Sequence, residues 1–132
     1  MSVFVDTSAW YALLDKKDPK HLLAVKTYQG LQEERETLVT NNSVLTETIA
    51  LIANRVGSKE AQNFCQEMAS NPIVEIHCLN QEQFLETCRR YSTSSRGVSL
   101  VDCSAFVTME AQKIRRAFAY DEDFARAGFT VL

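Results

Sequence analysis

Short β-favouring runs recur along the chain, and most of the intervals between them are long enough to hold a helix. The runs are Ser2–Val5, Leu38–Thr40, Ile73–Cys78, Ile114–Ala119 and Phe129–Leu132. Parallel strands need crossover connections of about a dozen residues or more, whereas antiparallel neighbours are joined by short turns. This alternation therefore predicts an α/β fold: a mainly parallel central sheet sandwiched between helices. In such sheets ligands gather at the carboxyl ends of the strands. Asp6 and Asp121 each follow a predicted strand, so the fold brings them to one edge from opposite ends of the sequence.

The helices are marked by their ends. Thr7-Ser8 opens Ala9–Leu14, and Asp18-Pro19 reads as an N-cap with proline at the first helical position, starting a helix that runs to about Gln32. Asn42 or Ser43 caps Val44–Arg55, which Gly57 stops. Ser58 opens a helix to about Ala69, ended before Pro72. Asn80 with Gln83 resembles a capping box leading a helix to Tyr91. Ser92–Gly97 is a polar loop, Val98 begins a helix lasting to about Gln112, and Phe124–Ala127 is a short helix before Gly128.

At 132 residues, the chain has the length of one domain, and residues 1–132 are expected to form it. No apolar run approaches the roughly 18 residues of a membrane span, and Met1–Phe4 carries strand residues where a signal peptide carries basic ones. A cytoplasmic protein is the expectation. Cys65, Cys78, Cys88 and Cys103 show no metal-binding spacing and are expected as buried or half-buried free thiols. The formal net charge of −3 excludes a grip on nucleic acid by bulk positive charge. If the substrate is RNA, something must offset the acids locally, and a divalent cation does so.

Each acid has an ordinary reading. Asp6 can cap the helix after it, Glu47 and Asp102 can be favourable charges near helix amino ends, and Asp121 to Asp123 can be a solvated turn. These readings leave unexplained why Asp6 and Asp102 directly follow the apolar runs Val-Phe-Val and Leu-Val, where burial without a partner is costly. Carboxylate ligands suit hard ions such as Mg²⁺ or Mn²⁺, which activate water and stabilise a departing oxygen at phosphorus. The sequence offers no obvious Ser-His or Cys-His pair, and His21 and His77 sit in helix and strand contexts, so the metal route is favoured over covalent catalysis.

At these residues the chain resembles the PIN-domain family, and within it the VapC-like toxins of type II toxin–antitoxin systems. Val3–Trp10 looks like the family's opening strand and first acid, Leu45-Thr46-Glu47 like the second, and Ser99–Asp102 like the third. Ala119–Phe124 with Ala127-Gly128-Phe129 looks like the closing motif. The resemblance spans essentially the whole chain. It implies a PIN-like three-layer sandwich and a Mg²⁺- or Mn²⁺-dependent endoribonuclease. Asp6, Glu47, Asp102 and Asp121 would be the catalytic acids, Asp6, Asp102, Asp121 and Asp123 the metal ligands, and Thr7 or Ser8 would orient a ligand or water. It also implies an RNA substrate, a homodimer, and a cognate antitoxin that would insert a basic side chain among the acids.

Arg96, together with Lys113, Arg115 and Arg116, is a candidate for contacting phosphates. Trp10 and Tyr11 are read either as base-stacking residues or as core. The apolar faces of the first and third helices suggest a self-association surface or a partner's groove. Competing enzyme readings fit less well. A haloacid-dehalogenase phosphatase wants an acid where Ser8 stands, and a receiver domain wants an early acidic pair and a late lysine. A catalytically inactive PIN-like module that binds RNA or protein is the remaining alternative.

Overall fold

The computed structural model describes residues 1–132. Its strands are β1 (Ser2–Val5), β2 (Thr37–Asn41), β3 (Val74–His77), β4 (Arg116–Phe118) and β5 (Thr130–Val131). The helices are α1 (Thr7–Leu14), α2 (His21–Glu33), α3 (Asn42–Arg55), α4 (Ser58–Ser70), α5 (Gln81–Thr93), α6 (Leu100–Ala111) and α7 (Asp123–Arg126). All four strand pairings are parallel, in the order β3-β2-β1-β4-β5. The α/β architecture with a parallel sheet is therefore as expected. The chain builds outward from β1 to β3, then returns to add β4 on β1's other side. That reversal opens a crevice between the carboxyl ends of β1 and β4.

β1 is the centre of the core. Val3, Phe4 and Val5 have no exposed surface, because a central strand covered on both faces reads as a continuous apolar run. α6 is buried from Asp102 to Met109, which explains why its sequence lacks an amphipathic stripe. The helices pack in sequence-local groups: α1 on α2 and α3, α3 on α4, and α5 on α6. Gly128, at φ 97°, makes the turn from α7 into β5 in a backbone conformation that other residues rarely adopt.

Several predicted boundaries move. Asp18-Pro19 forms a turn instead of a helix start: Asp18 accepts a hydrogen bond from the Lys20 amide, and α2 begins at His21. α5 extends to Thr93, consuming the start of the expected loop. Cys65 and Cys78 are exposed rather than buried, since neither α4's outer face nor the end of edge strand β3 is covered. Trp10 and Tyr11 are core residues, with Trp10 edge-on to Phe64 at 5.7 Å.

The cap of α3 is Asn41, not Asn42 or Ser43. Its side-chain oxygen accepts from the Val44 amide at 2.8 Å. Its amide nitrogen donates to the Ser104 carbonyl at 3.1 Å and to Thr108 Oγ1 at 3.0 Å. One fully buried amide thus binds β2, the start of α3 and the middle of α6. These helices carry Glu47 and Asp102. Replacing Asn41 with Ala removes a cap and strands buried partners, so we expect a loss of about 2–3 kcal/mol, read from the midpoint of urea unfolding.

Candidate active site

Asp6 is the first residue after β1 and caps α1. Its Oδ2 accepts from the Ser8 amide at 3.2 Å and from Ser8 Oγ at 2.8 Å. Ser8 Oγ in turn accepts from the Tyr120 amide at 3.0 Å, tying the turn after β1 to the segment after β4. Both bonds fall on one oxygen of Asp6, leaving Oδ1 available to a cation. The Thr7 hydroxyl is engaged between helices: it donates to the Val44 carbonyl and accepts from Thr48, joining α1 to α3.

Asp102 is the third residue of α6. Ser99 caps that helix, and Asp102 Oδ2 accepts from the Ser99 amide at 3.1 Å while Ser99 Oγ accepts from the Asp102 amide. Asp121 lies three residues beyond β4, and its Oδ1 accepts from the Asp123 amide at 2.9 Å. That turn folds Asp123 back toward the cluster. Asp102, Asp121 and Asp123 each offer a carboxylate oxygen, all within 4.8 Å of one another. Asp6, Glu47 and Asp121 share the wall of one cavity of about 320 Å³ with Thr7 and Ser8. Asp123 reaches a second cavity, of about 220 Å³, beside Arg90, Ser94 and Arg126. Asp121 belongs to both groups of acids and joins them. The largest cavity, about 520 Å³ between α1, α2 and α4, is lined by none of these acids, so size does not locate the chemistry here.

The acids perturb one another. Burial pushes Asp6 up to about 6, against the pull of the Ser8 hydrogen bonds and with a further push from the charge of Asp121. Burial also raises Asp102, to about 7, with added repulsion from Asp6 and Asp121. Asp123 is raised by burial, then by its hydrogen bond to Asp121 and by that residue's charge. Desolvation and like charge thus leave the pocket short of positive charge. All-oxygen donors with that deficit fit a hard divalent cation.

Of the basic residues singled out in the sequence, Arg96 is exposed on the loop between α5 and α6 and lines neither acidic cavity. Lys113, Arg115 and Arg116 line a shallow hollow with Met1 and Ser2, at the amino edge of the sheet. They precede Asp121 closely in sequence, but β4 carries the chain across the sheet between them. Arg116 is held by Glu36 at 2.7 Å. His21 Nδ1 donates to the Ala12 carbonyl at 2.7 Å, and His77 faces Glu75. Arg126 pairs with Asp123 at 3.4 Å, and the cations that line the cavity of Asp6, Glu47 and Asp121 are Lys20 and Arg55. Sequence reading missed both, because nothing local to either marks its neighbour in space.

A parallel sheet reversing at its first strand, with carboxylates from four separate segments at the reversal, defines a class of α/β proteins with an acidic pocket whose oxygens could hold a metal ion. The sequence matches the PIN domain family over residues 3–130, and the chain belongs to that family. It is 33% identical over 129 residues to the 23S rRNA-specific endonuclease VapC20 of Mycobacterium tuberculosis, covering 96% of this chain and 95% of that protein. The crystal structure of M. tuberculosis VapC20, described as a sarcin-ricin loop cleaving toxin, superposes with a TM-score of 0.86 at 29% identity. That match covers 97% of this chain and 96% of the other. FitAcB from Neisseria gonorrhoeae shares the fold, with a TM-score of 0.67 at 14% identity over 100% of this chain and 96% of that one.

The raised carboxyls set a pH dependence. An acid whose pKa is higher folded than unfolded binds more protons in the native state, so stability falls as pH rises through that interval. For Asp6 and Asp102 the interval runs from about 4 to 7. Glu36, Glu86 and Glu110, held low by arginines, act in the opposite direction, but below that interval. Metal-stripped protein should therefore be less stable at pH 8 than at pH 5 by about 3–4 kcal/mol, because each tenfold change in proton affinity corresponds to about 1.4 kcal/mol. Millimolar Mg²⁺ should restore the loss at pH 8, and Asp102→Asn should reduce the slope. Thermal melts across pH, with EDTA and with Mg²⁺, measure all three.

Proposed function

We propose that this protein is a metal-dependent endoribonuclease, the toxin of a toxin–antitoxin pair, working in the cytoplasm as one catalytic domain over residues 1–132. The observation that carries the reading is the convergence of Asp6, Glu47, Asp102 and Asp121, with Asp123, at the β1–β4 crevice of a PIN domain. The relationship to a 23S rRNA-specific endonuclease makes ribosomal RNA the substrate class to test first.

Asp6, Asp102, Asp121 and Asp123 would hold Mg²⁺ or Mn²⁺, and Glu47 lines a cavity with Asp6 and Asp121. A cation bound there would polarise the phosphoryl oxygen and acidify a water. The residues themselves do the positioning. Ser8 fixes the Asp6 carboxylate by accepting from Tyr120 while donating to Asp6. Ser99 fixes Asp102 through the capping box. Glu47, on the second turn of α3, would accept the proton of the attacking water. The water oxygen would bond to phosphorus as the P–O3′ bond breaks, and the leaving 3′-oxygen would take a proton from solvent, so that the products carry a 5′-phosphate and a 3′-hydroxyl.

The partner reading rests on two apolar surfaces. The groove between α1, α2 and α4 presents Leu13, Leu14, Val25 and Met68, with the buried indole Nε1 of Trp10 lacking a partner. An amphipathic antitoxin helix would fill it. Phe84, Leu85 and Tyr91 are exposed on α5, which offers area for a homodimer. No helix is long and apolar enough to cross a membrane.

Purified protein with Mg²⁺ or Mn²⁺ is expected to cut RNA carrying the sarcin–ricin sequence, and EDTA to stop it. Asp6→Asn and Asp102→Asn should each lower the rate about a hundredfold or more while melting no earlier than the parent. Full cleavage by both variants would overturn the mechanism. Product ends are read by phosphatase-dependent labelling.

A further inference from the structure

The basic side chains of this protein differ in what holds them. Arg89, Arg90, Arg116 and Arg126 are each engaged by one or more carboxylates. Lys20 and Arg55 form no ion pair, although both line the cavity that holds Asp6, Glu47 and Asp121. Each instead rests on an aromatic ring of that cavity: Lys20 Nζ lies 5.8 Å from the centroid of Tyr120, and Arg55 Cζ lies 5.5 Å from that of Tyr11. Both rings are anchored. The Tyr120 ring packs edge-on to Phe118 at 6.0 Å while its backbone amide is tied to Ser8, and the Tyr11 hydroxyl donates to Asp15 at 2.6 Å.

Helix stability does not account for Lys20. It occupies the N-cap of α2 with no capping hydrogen bond, at the helix end whose dipole disfavours a cation. Arg55 ends α3, where the dipole favours it, but that effect does not select a seat over Tyr11 inside an acidic cavity. A cation on a ring keeps its charge and most of its N–H donors free, whereas an arginine locked to a carboxylate has spent both. The two residues come from the start of α2 and the end of α3, and both are exposed to an incoming ligand.

We infer that Lys20 and Arg55 form a phosphate-binding subsite that holds the RNA backbone next to the scissile bond, on the α1–α3 side of the acids. The inference rests on the nuclease reading above and names the residues that let an acidic protein position a polyanion. Tyr11 and Tyr120 are the platforms, and the tie from Ser8 to Tyr120 sets the Lys20 seat relative to Asp6. The basic cluster at the amino edge of the sheet has no part in it.

Phosphate contacts are blind to sequence, so a fluorescein-labelled oligouridylate reports them whatever RNA is the natural target. Its binding is followed by anisotropy across a salt series in Mg²⁺, in an Asp102→Asn background that prevents cleavage. KM for the sarcin–ricin hairpin is measured in the otherwise unaltered protein. Lys20→Ala and Arg55→Ala should each weaken binding about threefold to tenfold, raise KM, and reduce the salt slope by about 0.7, the single-strand value per phosphate. Arg55→Lys should keep the slope, and Arg115→Ala, at the opposite edge, should alter neither quantity. Lys20→Gln serves where the alanine variant melts early. Unchanged affinity and slope in the Lys20 and Arg55 variants overturn the subsite while leaving the nuclease intact if the parent still cleaves. An equal loss in Arg115→Ala overturns it as a general charge effect. A parent that neither binds nor cuts RNA removes the enzyme reading and the subsite together.

Discussion

Carboxylates crowded at the β1–β4 crevice repel one another and lose hydration, and the rest of the structure is arranged to keep them there. Asp6 cannot retreat, because it directly follows the most deeply buried strand of the sheet and its own amide donates to the Phe118 carbonyl at 3.0 Å. Asp102 cannot retreat either, since it begins a helix that is buried through most of its length. Relief must come from outside the chain, as protons or as a cation. That requirement links fold to chemistry: the site's deficit of positive charge is a consequence of where β1 and α6 are packed.

The ordinary and the functional readings of these acids hold together. Asp6 is a helix cap, and Asp102 is half of a capping box. In each case the cap engages Oδ2 alone, so capping orients the carboxylate without exhausting it. A side chain fixed by its own backbone loses little further freedom on meeting a ligand, which is how a loop residue becomes a preorganised one. Ser8 extends the principle across the crevice by bridging Asp6 to the Tyr120 amide.

Much of this was legible in the order of residues. Strand runs separated by helix-length intervals implied the parallel sheet, and acids at the ends of two such runs implied their meeting. What was not legible depends on contacts between distant segments. Asn41 looks like one polar residue among three, and only the proximity of Ser104 and Thr108 makes it the cap that joins two layers. Arg115 and Arg116 look close to Asp121, yet a strand carries the chain across the sheet between them. Lys20 and Arg55 belong to different helices and neighbour neither Asp6 nor Asp121 in sequence, and the packing of α1 on α2 and α3 is what gathers them.

The charge balance of the molecule acquires a different sense in that light. A net charge of −3 would repel RNA over most of the surface, and several of the arginines are neutralised by carboxylates close by. Exposed lysines and arginines without carboxylate partners are scattered over the surface, but within the crevice Lys20 and Arg55 sit on tyrosine rings with their charge free, where a bound divalent cation would offset the acids. That placement has a consequence for selectivity. A protein coated in free lysines holds any nucleic acid it meets, in any register, because phosphate contacts carry no sequence information. Free cations that line the same cavity as the acids add binding energy when a phosphate already lies beside those acids, and so favour productive encounters over idle ones.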